Sequence, residues 1–133
     1  MVYDLFPTVL SVTRIESKEL LDGVDLSSFL EGELSKQEPE FLIHFPHNHR
    51  SSYYTAYRLG VWKVVYHYYK KGEDRYELFN LKKDRDESNN VAAKARKRLR
   101  SMMRAMIDAL QDAGAQYASS LEDTAIERRP DLP

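Results

Sequence analysis

At 133 residues and 15.6 kDa the chain has the length of a single domain, enough to bury a core. Apolar residues at 42% and aromatics at 11% exclude intrinsic disorder over most of it. Twenty Lys and Arg against 21 Asp and Glu leave a net charge of −1, so any polyanion binding must be local, and the absence of cysteine excludes disulfides, thiolate nucleophiles and thiolate metal sites.

In chain order, residues 4–15 predict a short amphipathic helix. Asp4 is placed to cap it, Pro7 falls in its first turn, and Leu5, Val9, Leu10 and Val12 form an apolar side. A polar connector follows, punctuated by Asp22-Gly23. Asp25 then caps a helical turn over 26–30, stopped by Gly32. Residues 40–45, 53–58 and 62–69 are aromatic and β-branched, and read as strands bounded by turn signals at Pro46-His47-Asn48, Leu59-Gly60 and Lys71-Gly72. In the third, Trp62, Val64, Tyr66 and Tyr68 share one face, and Lys63, Val65, His67 and Tyr69 the other. The short gap at Leu59-Gly60 predicts a hairpin. Residues 75–81 form a fourth strand.

From 91 to about 113 the period becomes helical, with Leu99, Met103, Met106 and Leu110 recurring four, three and four residues apart. Gly114 ends the helix, and the polar stretch 118–133 reads as a mobile tail. The expectation is an α+β fold, a small antiparallel sheet of about four strands packed against one long C-terminal helix. The longest apolar runs fall far short of the roughly 20 residues of a membrane helix, and no signal peptide opens the chain. No membrane partner is expected, and the compartment stays unassigned.

Three clusters bear on chemistry. His44, His47 and His49 lie within six residues, and His67 is a fourth histidine that can join them across the sheet. Imidazoles at this spacing suit a divalent metal, or the rim of an anion site when protonated. Lys94, Arg96, Lys97, Arg98, Arg100 and Arg104 form a basic stretch without an intervening acid, either a polyanion surface or a solvated helix face. The strand tyrosines can stack bases or sugars, or pair across strands in a core. No nucleic-acid-reading motif accompanies them, so nucleic acid is not expected as a partner.

The order of short motifs resembles one family. Tyr3 to Leu10 and Asp22 to Gly32 look like the sulfatase pattern D-x-x-P-T-x-L followed by D-G-x-S/D-L-x-x-x-L-x-G. His44-Phe45-Pro46-His47 and the run Tyr57 to Tyr66, with its Arg58-x-Gly60-x-x-Lys63, resemble the next block. Tyr76 to Asp84 with Glu87 to Ala92 resembles y-E-L-Y-N-L-x-x-D-x-x-E-x-x-N-L-A. The resemblance runs from residue 3 to about Tyr117 and implies the C-terminal subdomain of a sulfatase, a sulfuric-ester hydrolase.

By that resemblance, residues 1–19 are a helix at the junction with a catalytic domain, and 20–117 are the subdomain itself. The C/S-x-P-x-R motif that carries the formylglycine nucleophile is absent, so no catalytic residue is assigned and the chain alone is expected to be inactive. Calcium is expected in the parent enzyme and not in this chain. The resemblance also implies a sulfatase catalytic domain as partner and a sulfated substrate, with one wall of the substrate cleft contributed here. His47, His49 and Arg50 are the expected substrate-binding residues. An excised piece, a truncated reading frame and a separate subunit stay open. Two rival readings are a stand-alone polyanion-binding module using the 94–104 face and a self-contained metal-dependent hydrolase at the histidines. An uncovered apolar stripe on the first helix is expected to fold back or to pair in a homodimer.

Overall fold

The computed structural model describes residues 2–19, 21–32, 40–49, 52–117 and 128–133, with the side chains of 48, 49 and 52 outside the description. The chain forms two compact units, 1–38 and 39–133.

In the first unit a 3-10 turn, Val2–Asp4, runs into helix α1, Leu5–Thr13, with Pro7 in its first turn. Asp4 does not cap α1 with its side chain. Its Oδ1 instead accepts a hydrogen bond from the Val24 N–H at 2.9 Å. Thr8 works with it, donating to the Asp4 carbonyl at 2.6 Å and accepting from the Leu26 N–H at 3.0 Å. Gly23 sits against this pair, where a Cβ would collide with the Tyr3 carbonyl. The motif residues Asp4, Thr8 and Gly23 therefore fasten α1 to the segment that leads into α2, Ser27–Leu30. Asp25 Oδ1 accepts from the Ser27 N–H at 2.8 Å at the start of that turn.

The second unit is a four-stranded antiparallel meander in the order β1-β2-β3-β4, with β1 Glu40–His49, β2 Ser52–Leu59, β3 Trp62–His67 and β4 Tyr76–Asn80. Helix α3, Arg96–Asp112, lies across one face. The alternation read from the sequence holds. Val64 and Tyr66 of β3 join Tyr57, Tyr76 and Leu78 beneath α3, and Leu99, Met102, Met103, Met106 and Leu110 fill the interface from the helix side. Arg96, Lys97, Arg100 and Arg104 are exposed. On the far face Ala56, Val65 and Phe79 form a second, smaller cluster.

Two boundaries differ from expectation by more than two residues. The turn expected at Pro46-His47-Asn48 is strand: β1 continues to His49, which pairs with Ser52 after a register shift beyond Phe45. β1 is an edge strand, and an irregular edge is where a residue without an N–H is tolerated. The helix expected from 91 starts at Arg96 instead. Asn90 Oδ1 takes the N–H groups of Leu78 at 3.0 Å and Ala92 at 2.9 Å, holding 90–92 against β4 before the helix begins.

Candidate functional site

Of the expected binding residues, His47 and His49 belong to the last residues of β1. His47 is exposed near the end of β1, its ring 6.1 Å from Phe45 in an edge-on arrangement, and Phe45 stacks on Tyr54. The backbone of His49 belongs to β1 and its side chain lies outside the description, and Arg50 lies outside the described residues.

The four histidines do not converge as a set. His44 pairs with Thr55 and His67 with Tyr54, adjacent residues of β2, so the two rings emerge on opposite faces. Among the described residues no group of three or more His, Cys, Asp or Glu is placed to hold a metal ion. Three of the carboxylates serve other donors: Asp84 the Ser88 and Asn89 N–H groups, Glu87 Lys63, and Asp131 Arg75. These residues do not fit a calcium site.

His44 belongs to a closed polar chain on the α3 face. Its Nε2 faces the Gln116 carbonyl at 2.6 Å, and since a carbonyl only accepts, Nε2 carries the proton. In the neutral ring Nδ1 then accepts from Thr55 Oγ1 at 2.7 Å, and Thr55 accepts from the Tyr68 hydroxyl at 2.7 Å. Burial pushes the Tyr68 phenol up, against the Thr55 bond, and keeps it a donor. Thr55 is fully buried. The polar atoms of this chain face one another, so it locks β1 to the exit of α3 and offers no nucleophile. Sequence reading missed it, although His44 opposite Thr55 follows from the hairpin register.

His67, on the far face, has Nε2 3.1 Å from Glu77 Oε1 but out of hydrogen-bond alignment. Desolvation lowers its pKa, Glu77 opposes that shift, and Lys70 adds to it.

Further motif residues make structural contacts. Gly60 turns the β2–β3 hairpin at φ 59° and accepts from Arg58 Nε at 2.9 Å. Lys63 meets Glu87 at 2.6 Å, and Asn90 Nδ2 donates to the Tyr76 carbonyl at 3.2 Å.

A second constellation was invisible in the sequence. Asp131 Oδ1 accepts from the hydroxyls of Tyr66 at 2.8 Å and Tyr76 at 3.0 Å, and Arg75 grips both its carboxylate oxygens at 2.9 and 2.8 Å. Of the stretch expected to be a mobile tail, 118–127 lies outside the described residues, and 128–133 is the part that makes these contacts.

This fold agrees with the comparisons. A family model described as N-sulphoglucosamine sulphohydrolase, C-terminal, matches residues 1–114. The chain belongs to that family. No curated protein sequence matches it. Among solved structures it is similar to BT4656 in complex with its substrate D-glucosamine-2-N,6-O-disulfate, at TM-score 0.64 and 22% identity over 84% of this chain and 24% of that one. It is similar to BT1596, a 2-O GAG sulfatase, at TM-score 0.64 and 23% identity over 84% and 24%. It also resembles Ps i-CgsB in complex with k-i-k-neocarrahexaose, at TM-score 0.61 and 21% identity over 90% and 26%. The sulfatase C-terminal domain thus spans about a quarter of the length of these structures. No helix among its described residues is long and apolar enough to cross a membrane.

Proposed function

We propose that the chain acts as the C-terminal subdomain of a sulfatase that hydrolyses sulfate esters, packing on a catalytic domain and forming one wall of its substrate cleft. The observation that carries this reading is the family match over residues 1–114, on a chain about a quarter as long as the solved structures that share its fold. The β1–β2 end, with His47, His49 and Arg50, supplies polar contacts to the sulfated substrate, because guanidinium and protonated imidazole suit sulfate oxygens. The nucleophile and calcium belong to the catalytic domain. Residues 1–19 serve as the junction helix and 20–117 as the subdomain.

The chain alone, assayed with an aryl sulfate and calcium, is expected to give background rates. A rate that survives repurification and vanishes in His47→Ala would overturn the reading. In the enzyme carrying both parts, Arg50→Ala is expected to raise KM for a sulfated sugar more than it lowers kcat. An unchanged KM removes the β1–β2 end from the cleft.

A further inference from the structure

Lys97, Arg100 and Arg104 stand at i, i+3 and i+7 on the exposed side of α3, spread over about 10 Å of helix. They line two adjoining grooves of about 320 and 420 Å³, and a single acid, Asp108, closes the far end of the larger. Among the described residues neither Lys97 nor Arg104 has an ion-pair partner, whereas neighbouring Arg96 meets Glu73 at 3.0 Å. Arg100 is held differently: its guanidinium donates to the Pro133 main-chain oxygen at 2.8 Å, and Pro133 forms part of the wall of the smaller groove. Pro133 is placed there by Asp131, two residues earlier, in the grip of Arg75, Tyr66 and Tyr76. Both tyrosines are buried, at 3% and 4% exposure, so their hydroxyls present a preformed cradle for a carboxylate.

We propose that this face of α3 binds a sulfated polysaccharide and that residues 128–133 are a strap closing one end of it. The choice of sulfated sugar over nucleic acid rests on the sulfatase reading and on grooves whose lining carries no aromatic ring for base stacking. Arginine pairs with sulfate oxygens in a two-pronged contact, and the strap withholds one such arginine from the groove.

The test is retention of the purified chain on a heparin column under a NaCl gradient, with the backbone 1H–15N NOE of Arg128, Arg129, Asp131 and Leu132 measured in parallel. Tyr66→Phe/Tyr76→Phe removes two donors to Asp131 without changing charge, and Asp131→Asn weakens the Arg75 grip as an independent route. Both are expected to lower the NOE of these residues and to elute at higher salt than the wild type. Lys97→Ala/Arg104→Ala is expected to elute earlier, with a salt-dependence slope lower by about two, about one per cation removed. An NOE that stays unchanged in both cradle variants overturns the gate. Elution unchanged by Lys97→Ala/Arg104→Ala overturns the surface. Stronger retention on DNA-cellulose than on heparin assigns the face to nucleic acid and overturns the choice of partner. None of these readouts uses sulfatase activity, so the surface can fail while the enzymatic reading stands, and the reverse.

Discussion

Asn90 shows how a motif residue is used in the structure. Its carboxamide joins β4 to the approach of α3 through three bonds, to the Leu78 and Ala92 N–H groups and the Tyr76 carbonyl. Leu78 has no exposure, so its N–H has no water to turn to when the acceptor is lost. Asn90→Ala is expected to destabilise the second unit by about 1–3 kcal/mol, read as a lower urea midpoint at unchanged m. Asn90→Asp keeps the Oδ1 acceptor and is expected to lose less. Equal losses in the two variants would mean that the Oδ1 bonds carry little. Thr8 bridges the Asp4 carbonyl and the Leu26 N–H in the same manner. Thr8→Val is expected to speed amide exchange at Leu26 while leaving β3 unaffected; an unchanged Leu26 rate would mean that the hydroxyl is not what holds the 22–26 segment.

Among the elements, α3 and β3 carry the core between them. Met106 has no exposure and lies within the cluster that includes Leu78 and Val64. Truncation to Ala leaves a cavity there, and Met106→Ala is expected to cost about 2–5 kcal/mol, measured by denaturant unfolding; a loss under 1 kcal/mol would show that the helix collapses onto the gap. On the other face, β3 carries a titration. His67 is flanked by Glu77 of β4, Lys70 beyond β3 and Tyr54 of β2, and desolvation depresses its pKa below the ordinary 6.5. A depressed histidine binds its proton more weakly folded than unfolded, so its contribution is present above pH 6.5 and is lost as pH falls toward the folded value. Thermal stability is therefore expected to decline on acidification through that window, and His67→Gln to flatten the decline. An identical slope in the variant would place the proton uptake elsewhere.

Over the whole molecule, what could be read in advance was what neighbours in sequence decide. The alternation of Trp62 to His67 announced a strand with two distinct faces, and the four-three-four spacing of Leu99 to Leu110 announced the face of α3. What could not be read depends on pairings across distance. Pro46-His47-Asn48 carries turn residues, and only edge position lets strand continue through them. Asp131 meets Tyr66 from 65 residues away, with no local pattern to mark it. The histidine cluster dispersed because a period of two sends His44 and His67 to opposite faces. The same reasoning bears on α1, where Leu5, Phe6, Val9 and Val12 are each more than half exposed. At roughly 25 cal/mol per Å², such a stripe favours cover, and in the proposed enzyme the catalytic domain supplies it. For the isolated chain the candidate cover is a second copy. A nine-residue helix is only about 13 Å long, however, and falls short of the roughly 800 Å² that each partner gives to a stable interface. The isolated chain is thus expected to sediment as a 15.6 kDa monomer at micromolar concentration and to rise reversibly in mass when concentrated. Val9→Lys sets a charge in the stripe and is expected to abolish the rise. A tight dimer at low micromolar concentration that survives Val9→Lys would place the self-contact on a surface other than α1.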